Sequence, residues 1–416
     1  MLNKKQKIAV IIPDGMADFK IKELNNKTPM EVAEKPCMDF LARNGICGMV
    51  EFIPDGMISD ASATANLAIL GYDPKLYSKG RSPLEAARMG LEMRENDTAV
   101  RCNLVTLSEN EEIYEEKIVI DHSADEISTE DADILIKYLD KKLGTDKIRF
   151  HTGKSYRHIL LWEDCPGYSD LKFTGPHDIK NKRAKEYLPS GEIGDIYVDL
   201  MKKSYDILKN HPLNIKRREN GKRPANSIWL WSPGSKPDIP DFKSKYGLDG
   251  SVIAYVNLIQ GIGIYAGMKV INVEGATGNF HTNYKNKGLA AIKEFENGKD
   301  FIFVHIEAPD ECGHAGEIEN KIKSIEKIDD MIIKPVYEYL DSNFDDFKIL
   351  ILPDHPTSLA TGAHSYAPVP FLLYNKKSEN KFNKSGIDNF NEESVAGKSK
   401  IYIQNGYELM DFVLAQ

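Results

Sequence analysis

Three apolar runs of strand length, far apart in the chain, each end in aspartate or histidine. They are residues 7–15 (KIAVIIPDG), residues 301–314 (FIFVHIEAPDECGH) and residues 348–358 (KILILPDHPTS). Continuous apolar runs of this kind predict strands that are buried on both faces, as in a mainly parallel sheet. Because ligands bind outside the carboxyl ends of such strands, we expect the polar side chains after these runs to meet at one place.

The rest of the pattern predicts an α/β protein with an insert. Strand-like runs alternate with helical patterns such as residues 319–340, which implies βαβ units and a mainly parallel sheet flanked by helices. Residues 1–90 and 225–416 are predicted to form this discontinuous domain. Residues 91–224, with short strand-like stretches and two long amphipathic patterns, predict an inserted smaller α+β cap domain that binds substrate.

Composition excludes several classes of function. A formal net charge of −9 gives no general attraction to nucleic acid or to an anionic membrane. No apolar run is long enough to span a bilayer, and the polar N-terminal segment does not resemble a signal peptide. The 5 cysteines form no CxxC pair, which favours thiols in a reducing compartment. We therefore expect a cytoplasmic protein.

The polar residues after the three runs, together with a later histidine, form a set able to bind metal. The set is Asp14, Asp310, His314, Asp354, His355 and His364. Asp310 and His314 are spaced to share one ion on a turn or helix, and His364 adds a third ligand. Ligation by carboxylate and imidazole together allows Mn²⁺, Zn²⁺ or Mg²⁺.

A second ion and a nucleophile fit the same set. Asp14 with the adjacent Asp354 and His355 can bind a second ion. Two ions about 3.5–4 Å apart would hold the attacking and leaving oxygens of a displacement at phosphorus. Ser62 precedes a helical segment at residues 63–70, whose first N–H groups favour an anion. Serine before a helix is most often an N-cap, but beside metal ligands its hydroxyl is a candidate to accept a phosphoryl group.

Several segments, taken in order, make the chain resemble a known family. They are PDGMAD (13–18), NLAILGYDP (66–74), GRSPLEAA (80–87), RCNLVTL (101–107), APDECGH (308–314) and LPDHPT (352–357), followed by His364. The chain is similar to the archaeal type of cofactor-independent phosphoglycerate mutase, within the alkaline-phosphatase-like superfamily. This resemblance implies an alkaline-phosphatase-like fold. It also implies metal-dependent interconversion of 2- and 3-phosphoglycerate through phosphoserine, without 2,3-bisphosphoglycerate.

The resemblance also implies a role for each candidate residue. It places one metal with Asp310, His314 and His364, and the other with Asp14, Ser62, Asp354 and His355. It makes Ser62, not Ser59, the nucleophile, and it favours manganese over zinc or magnesium as the divalent ion. The family pattern is Gly-Ser followed by an acidic residue, whereas here Ala61 and Ala63 flank the serine.

A small phosphorylated substrate also needs cations to bind its phosphate and carboxylate. The candidates lie in or beside the family-like segments and are Arg81, Arg101, Arg157 and Lys287. Arginine suits bidentate recognition of both groups.

Three other functions stay open at this point. Asn66, where archaeal mutases tend to have histidine, and the segment PANSIWLW at residues 224–231 resemble a bacterial subgroup that is proposed to act as homoserine kinase. The chain has no P-loop motif, so a nucleotide would need another binding mode. A metal-dependent phosphohydrolase is the second alternative, and a non-catalytic protein with structural metals is the third.

Overall fold

The computed structural model of the protein describes residues 6–57, 60–378 and 386–416. Its strands are β1 (Lys7–Pro13), β2 (Ile46–Val50), β3 (Thr98–Leu107), β4 (Val119–Asp121), β5 (Ile148–Lys154), β6 (Arg157–Trp162), β7 (Ser227–Ser235), β8 (Gly250–Ile253), β9 (Lys269–Ile271), β10 (Phe301–Ile306), β11 (Phe347–Ile351), β12 (Thr357–Ser358), β13 (Ala363–His364), β14 (Val369–Asn375) and β15 (Tyr402–Ile403). Its α-helices are α1 (Pro29–Val32), α2 (Pro36–Arg43), α3 (Ala61–Ile69), α4 (Pro74–Tyr77), α5 (Ser82–Arg88), α6 (Thr129–Leu143), α7 (Glu192–Leu208), α8 (Pro212–Glu219), α9 (Phe242–Tyr246), α10 (Asn257–Tyr265), α11 (Tyr284–Glu296), α12 (Ala308–Ala315), α13 (Ile318–Ile328), α14 (Lys334–Asn343), α15 (Glu392–Lys398) and α16 (Leu409–Ala415).

A mainly parallel sheet forms the core of the first compact unit, which comprises residues up to Ser78 and from Asp238 onward. Within the described residues, the sheet orders eight strands as β15-β2-β14-β11-β1-β10-β8-β9. The central strand β1 is parallel to β10 and to β11, and all of its residues are buried. β14 is antiparallel to both of its neighbours. The predicted α/β class with a mainly parallel sheet is thus confirmed.

One predicted helix of this unit is interrupted. The pattern at residues 319–340 forms α13 and α14, but a π-helical turn, Asp329–Ile333, joins them. Pro335 lies in the first turn of α14 and has no N–H for the regular helical bond. The apolar spacing predicted the buried face of both helices. The π-helical turn between them is explained by the missing N–H of Pro335.

The second compact unit, Lys79–Pro237, is an α+β arrangement. Its antiparallel sheet has the order β4-β3-β6-β5, with β7 also paired to β3. The amphipathic patterns predicted at residues 128–143 and 195–210 form α6 and α7. The predicted boundaries, 90/91 and 224/225, both fall inside this unit. The unit extends beyond the predicted boundary at 224/225 because β7, which was expected to belong to the larger sheet, pairs with β3.

Neither a membrane-spanning helix nor a disulfide is found in the described part of the chain. No helix there is both long and apolar enough to cross a bilayer. The five cysteines, all of them within the described ranges, form no disulfide: Cys37, Cys47, Cys102, Cys165 and Cys312.

Asp121, at the end of β4, provides a test of the second unit. Its carboxylate accepts hydrogen bonds from Ser123 N at 3.0 Å, Asp125 N at 2.8 Å and an Arg223 guanidinium nitrogen at 2.9 Å. Burial opposes its ionisation, but these bonds outweigh burial and lower the pKa of Asp121 from 3.8 to about 2. The carboxylate therefore contributes stability above pH 4, and this contribution is lost as the pH falls through about 2.

We expect Asp121→Asn to lower the free energy of unfolding at pH 7 by about 2 kcal/mol, the equivalent of this pKa shift. Urea unfolding monitored on the second unit should show the gap between variant and wild type closing between pH 4 and pH 2. Asp199→Asn, which removes an exposed i,i+4 partner of Lys203, is the control and should change little. A gap that does not depend on pH would contradict the interpretation.

Candidate active site

The structure brings the six predicted metal ligands together at one edge of the larger sheet. Asp14 follows β1 directly, Asp354 follows β11 after a short turn, and Asp310 lies in the first turn of α12, the helix after β10. Because β11, β1 and β10 are adjacent and parallel, their carboxyl ends deliver these three aspartates to the same place.

Asp310, His314 and His364 form a first group, here called the two-histidine cluster. α12 places Asp310 and His314 on one face, with His314 Nε2 3.2 Å from Asp310 Oδ2. His364, which pairs with Thr357 across β12 and β13, has its Nε2 3.0 Å from His314 Nε2 and 3.3 Å from Asp310 Oδ1. Two ring nitrogens and a carboxylate that converge in this way match the ligand set of a divalent cation with an open position.

Hydrogen bonds behind the two-histidine cluster orient its ligands. His314 Nδ1 donates to Gly362 O at 2.8 Å, which leaves Nε2 available for a cation. The Thr357 hydroxyl donates to Asp310 Oδ1. The buried Lys321 donates in turn to Thr357 O at 2.6 Å. These second-layer contacts fix the ring and the carboxylate in one orientation.

Ser62, Asp14, Asp354 and His355 form a second group, here called the serine cluster. His355 Nε2 lies 3.0 Å from Ser62 Oγ, 3.5 Å from Asp14 Oδ1 and 3.6 Å from Asp354 Oδ2. The other carboxylate oxygen, Asp354 Oδ1, accepts hydrogen bonds from Gly15 N at 3.2 Å and His355 N at 3.0 Å. Oδ2 is thereby directed towards the histidine ring.

Gly15 is required at the turn between the two clusters. Its φ is +60°, which side chains other than glycine adopt at a cost. A Cβ atom there would lie 2.5 Å from Thr357 Oγ1 and 2.7 Å from Asp310 Oδ1. The Asp-Gly pair after β1 therefore lets the backbone approach the ligands closely.

The electrostatics of the site favour a cation. Asp14, Asp310 and Asp354 are 4%, 7% and 1% exposed. Burial, followed by the charges of Asp354 and Asp310, raises the pKa of Asp14 well above its ordinary value. Asp14 Oδ1 is buried and accepts no hydrogen bond from any residue that the structure describes. Buried carboxylates of this kind need a positive partner, so the donor set fits divalent metal ions.

The position of Ser62 distinguishes its two interpretations. α3 begins at Ala61 with Asp60 at the N-cap, so the helix starts earlier than predicted and Ser62 is not its cap. Its hydroxyl contacts His355 instead. Asn66, one turn later, donates to Ser62 O and to Asp354 Oδ2, both at 2.8 Å, and so ties the helix to the cluster. Ser59, the other serine considered, lies outside the described residues.

Sequence reasoning missed two ionisable residues in β10 and at its end. His305, within the apolar run, is fully buried, with Nε2 3.5 Å from Asp14 Oδ2 and 3.8 Å from Asp354 Oδ2. Glu307, directly after the strand, is also buried, and its Oε1 is 3.5 Å from His305 Nδ1. A histidine and a glutamate in FIFVHIEAP, where the pattern requires burial, were the available signal.

Lys287 is placed differently from its prediction as a substrate contact. The side chain is fully buried in α11, and its Nζ donates to Glu307 Oε2 at 2.7 Å and to His305 O at 2.9 Å. A lysine with these buried partners supports β10 and is not directed to a substrate.

The three predicted arginines belong to the second unit. Arg101 on β3 stacks on the Trp231 ring at 4.3 Å and pairs with Glu85 at 3.1 Å. Arg157 begins β6, is exposed, and lies beside β3 in the register that pairs it with Asn103. Arg81 precedes α5. Arg101 and Arg81 are both close enough to His177 to help burial lower the pKa of this histidine.

The sheet and its ligand clusters define an α/β protein with carboxylates and imidazoles arranged as candidate metal ligands, and comparisons with known proteins specify the family. The family model described as 2,3-bisphosphoglycerate-independent phosphoglycerate mutase matches residues 42–214. A Methanosarcina barkeri protein of that name is 46% identical over 94% of each chain. The chain belongs to the family of 2,3-bisphosphoglycerate-independent phosphoglycerate mutases, which confirms the resemblance found in the sequence.

Two solved structures are similar to this chain over nearly its whole length. The cofactor-independent phosphoglycerate mutase of Thermoplasma acidophilum is 25% identical, with a TM-score of 0.68 and 99% of each chain covered. A Pyrococcus horikoshii protein is 27% identical, with a TM-score of 0.80, over 99% of this chain and 97% of that one.

Proposed function

We propose that the protein is a metal-dependent phosphoglycerate mutase that interconverts 2- and 3-phosphoglycerate through a phosphoserine at Ser62, without 2,3-bisphosphoglycerate. Family membership supports the reaction. The observation that carries the mechanism is the 3.0 Å contact between Ser62 Oγ and His355 Nε2 inside a cluster of buried carboxylates. This contact orients the Ser62 hydroxyl, which does not serve as a helix cap.

The chain's own groups account for both halves of the transfer. The bond from Ser62 Oγ to phosphorus forms as the bond from phosphorus to the glycerate oxygen breaks, and the serine proton passes to that oxygen. The other glycerate hydroxyl then attacks phosphorus: its oxygen–phosphorus bond forms as the bond from phosphorus to Ser62 Oγ breaks, and its proton passes to Ser62 Oγ. The first N–H groups of α3 favour the negative phosphoryl group beside the serine. His355 and Asn66 hold the serine and its helix in place.

The two clusters are proposed to hold two divalent ions, with manganese favoured and zinc or magnesium as alternatives. The ligand atoms of the two-histidine cluster converge, as do those of Asp14 with Asp310 and His355 and those of Asp14 with His305 and Asp354. When bound, such ions offset the charge of the phosphoryl oxygens and favour loss of the serine proton. Arg81, Arg101 and Arg157 are proposed to bind the phosphate and carboxylate of the substrate, as predicted from sequence.

A set of parallel assays tests this function. With Mn²⁺ and 3-phosphoglycerate, and without 2,3-bisphosphoglycerate, we expect formation of 2-phosphoglycerate in an enolase-coupled assay. Consumption of ATP with homoserine would support the kinase alternative. Release of phosphate faster than isomerisation would support a phosphohydrolase. Either result without mutase turnover would contradict the proposal.

A further inference from the structure

Behind the serine cluster lies a row of buried ionisable groups that the proposed reaction does not use. Lys287, fully buried, donates to Glu307 Oε2 at 2.7 Å and to His305 O at 2.9 Å. The other oxygen, Glu307 Oε1, accepts hydrogen bonds from Tyr255 N at 2.7 Å and Val256 N at 3.1 Å. The glutamate is thereby fixed from both sides.

His305 joins this glutamate to the metal ligands. Its Nδ1 faces Glu307 Oε1 at 3.5 Å, and its Nε2 faces Asp14 Oδ2 at 3.5 Å and Asp354 Oδ2 at 3.8 Å. Asn66 Nδ2 lies 3.4 Å from the same Nε2. The row therefore runs from the Lys287 ammonium to the Glu307 carboxylate and the His305 imidazole, and ends at the two aspartates of the serine cluster. The ring therefore lies between the Glu307 carboxylate and the two aspartates at ion-pair distances on both sides.

We propose that Lys287, Glu307 and His305 are positioning residues that hold Asp14 and Asp354 for a divalent cation and so set the cation affinity of the serine cluster. The two-histidine cluster is supported by Lys321 through Thr357, whose hydroxyl donates to Asp310 and also lies 3.3 Å from His355 Nδ1. His305, in contrast, faces Asp14 and Asp354. The inference rests on the proposed function only in taking the two clusters as cation sites.

The first test compares two buried lysines. Lys287→Met removes the ammonium at the start of the row. Lys348→Met is the matched control, because Lys348 is also buried but its Nζ donates to Val413 O at 2.9 Å, a main-chain group remote from the ligands. Manganese binding to metal-stripped protein is measured by calorimetry. We expect Lys287→Met to bind one of two Mn²⁺ ions about 10–100-fold more weakly and the other unchanged. Lys348→Met should bind both as wild type does.

Mutase kinetics supply a second measurement, which general destabilisation would not reproduce. Lys287→Met should need about 10–100-fold more Mn²⁺ for half-maximal rate, with the KM for 3-phosphoglycerate unchanged at saturating Mn²⁺. If that variant does not fold, Lys287→Met/Glu307→Gln replaces it, because the double variant leaves no unpaired buried charge. The same weaker binding is expected.

The outcomes separate the two proposals. Wild-type protein that binds no Mn²⁺ would contradict both the proposed function and the positioning role. If wild type binds two ions and the double variant binds both of them with the wild-type affinities, the positioning role alone is overturned. Equal weakening of both ions would also overturn it, since the row contacts one cluster.

Discussion

Ser62→Ala is expected to lower the rate of phosphoglycerate interconversion by about 10⁴-fold or more, because the covalent acceptor of the phosphoryl group is lost. The fold should be retained, since Asp60 and not Ser62 occupies the N-cap position of α3, and the Asn66 side chain bonds to the main-chain oxygen of residue 62, not to its hydroxyl. The rate is measured by the enolase-coupled assay, and the fold by circular dichroism and thermal unfolding.

A hydroxyl on the same helix provides the control. Thr64 is fully buried, and its Oγ1 has no hydrogen-bond partner among the described residues. Thr64→Val therefore removes a hydroxyl from α3 with little change in shape, and its rate should stay near that of wild type. Mass spectrometry of wild type quenched during turnover should find phosphate on Ser62. Wild-type turnover by Ser62→Ala would refute the assignment of the nucleophile.

Removal of divalent metal is expected to abolish turnover and to destabilise the first unit. Without a cation, Asp14, Asp310 and Asp354 are buried side by side, and the Asp14 carboxylate keeps an oxygen without a hydrogen bond from the described residues. A ligand at 100 times its Kd stabilises the folded state by about 2.7 kcal/mol, so we expect Mn²⁺ to raise the melting temperature by several degrees. Differential scanning calorimetry before and after chelation measures this difference.

Asp14→Asn distinguishes two effects of metal removal: the loss of a bound ion, and the repulsion among the buried carboxylates that the ion would offset. The variant should lose turnover even with Mn²⁺, because one ligand charge is gone. Its metal-free form should be at least as stable as metal-free wild type, since burial and the neighbouring carboxylates already disfavour a charge at this position. Chelated wild type that keeps full activity would exclude a catalytic metal.

The sequence predicted the fold class because its signals are local. The apolar run of β1 follows from burial on both faces, and α6 follows from the amphipathic spacing of its segment, with Ser128 at the N-cap. The run that forms β7 looked the same as the strands of the larger sheet, yet it pairs with β3. An apolar composition predicts that a strand is buried, but it does not predict which strand pairs with it.

The same division holds in the site. The positions of Asp14, Asp310 and Asp354 just after predicted strands were sufficient to predict that they lie together, because parallel strands end at one edge of the sheet. Lys287, predicted as a substrate contact, lies instead in a buried ion pair with Glu307, and His305 was not predicted at all. Their roles depend on which buried group faces them across α11 and β10.

The amino-acid sequence by itself determined the mainly parallel sheet, the family and the residues that could bind metal, because apolar periodicity and ligand-rich strand ends are properties of short segments. The tertiary structure alone decided that Ser62 meets His355 and that the buried Lys287 pairs with Glu307. The first contact joins residues 293 positions apart and the second joins α11 to the end of β10, so their 3.0 Å and 2.7 Å distances exist only once the strands and helices have packed.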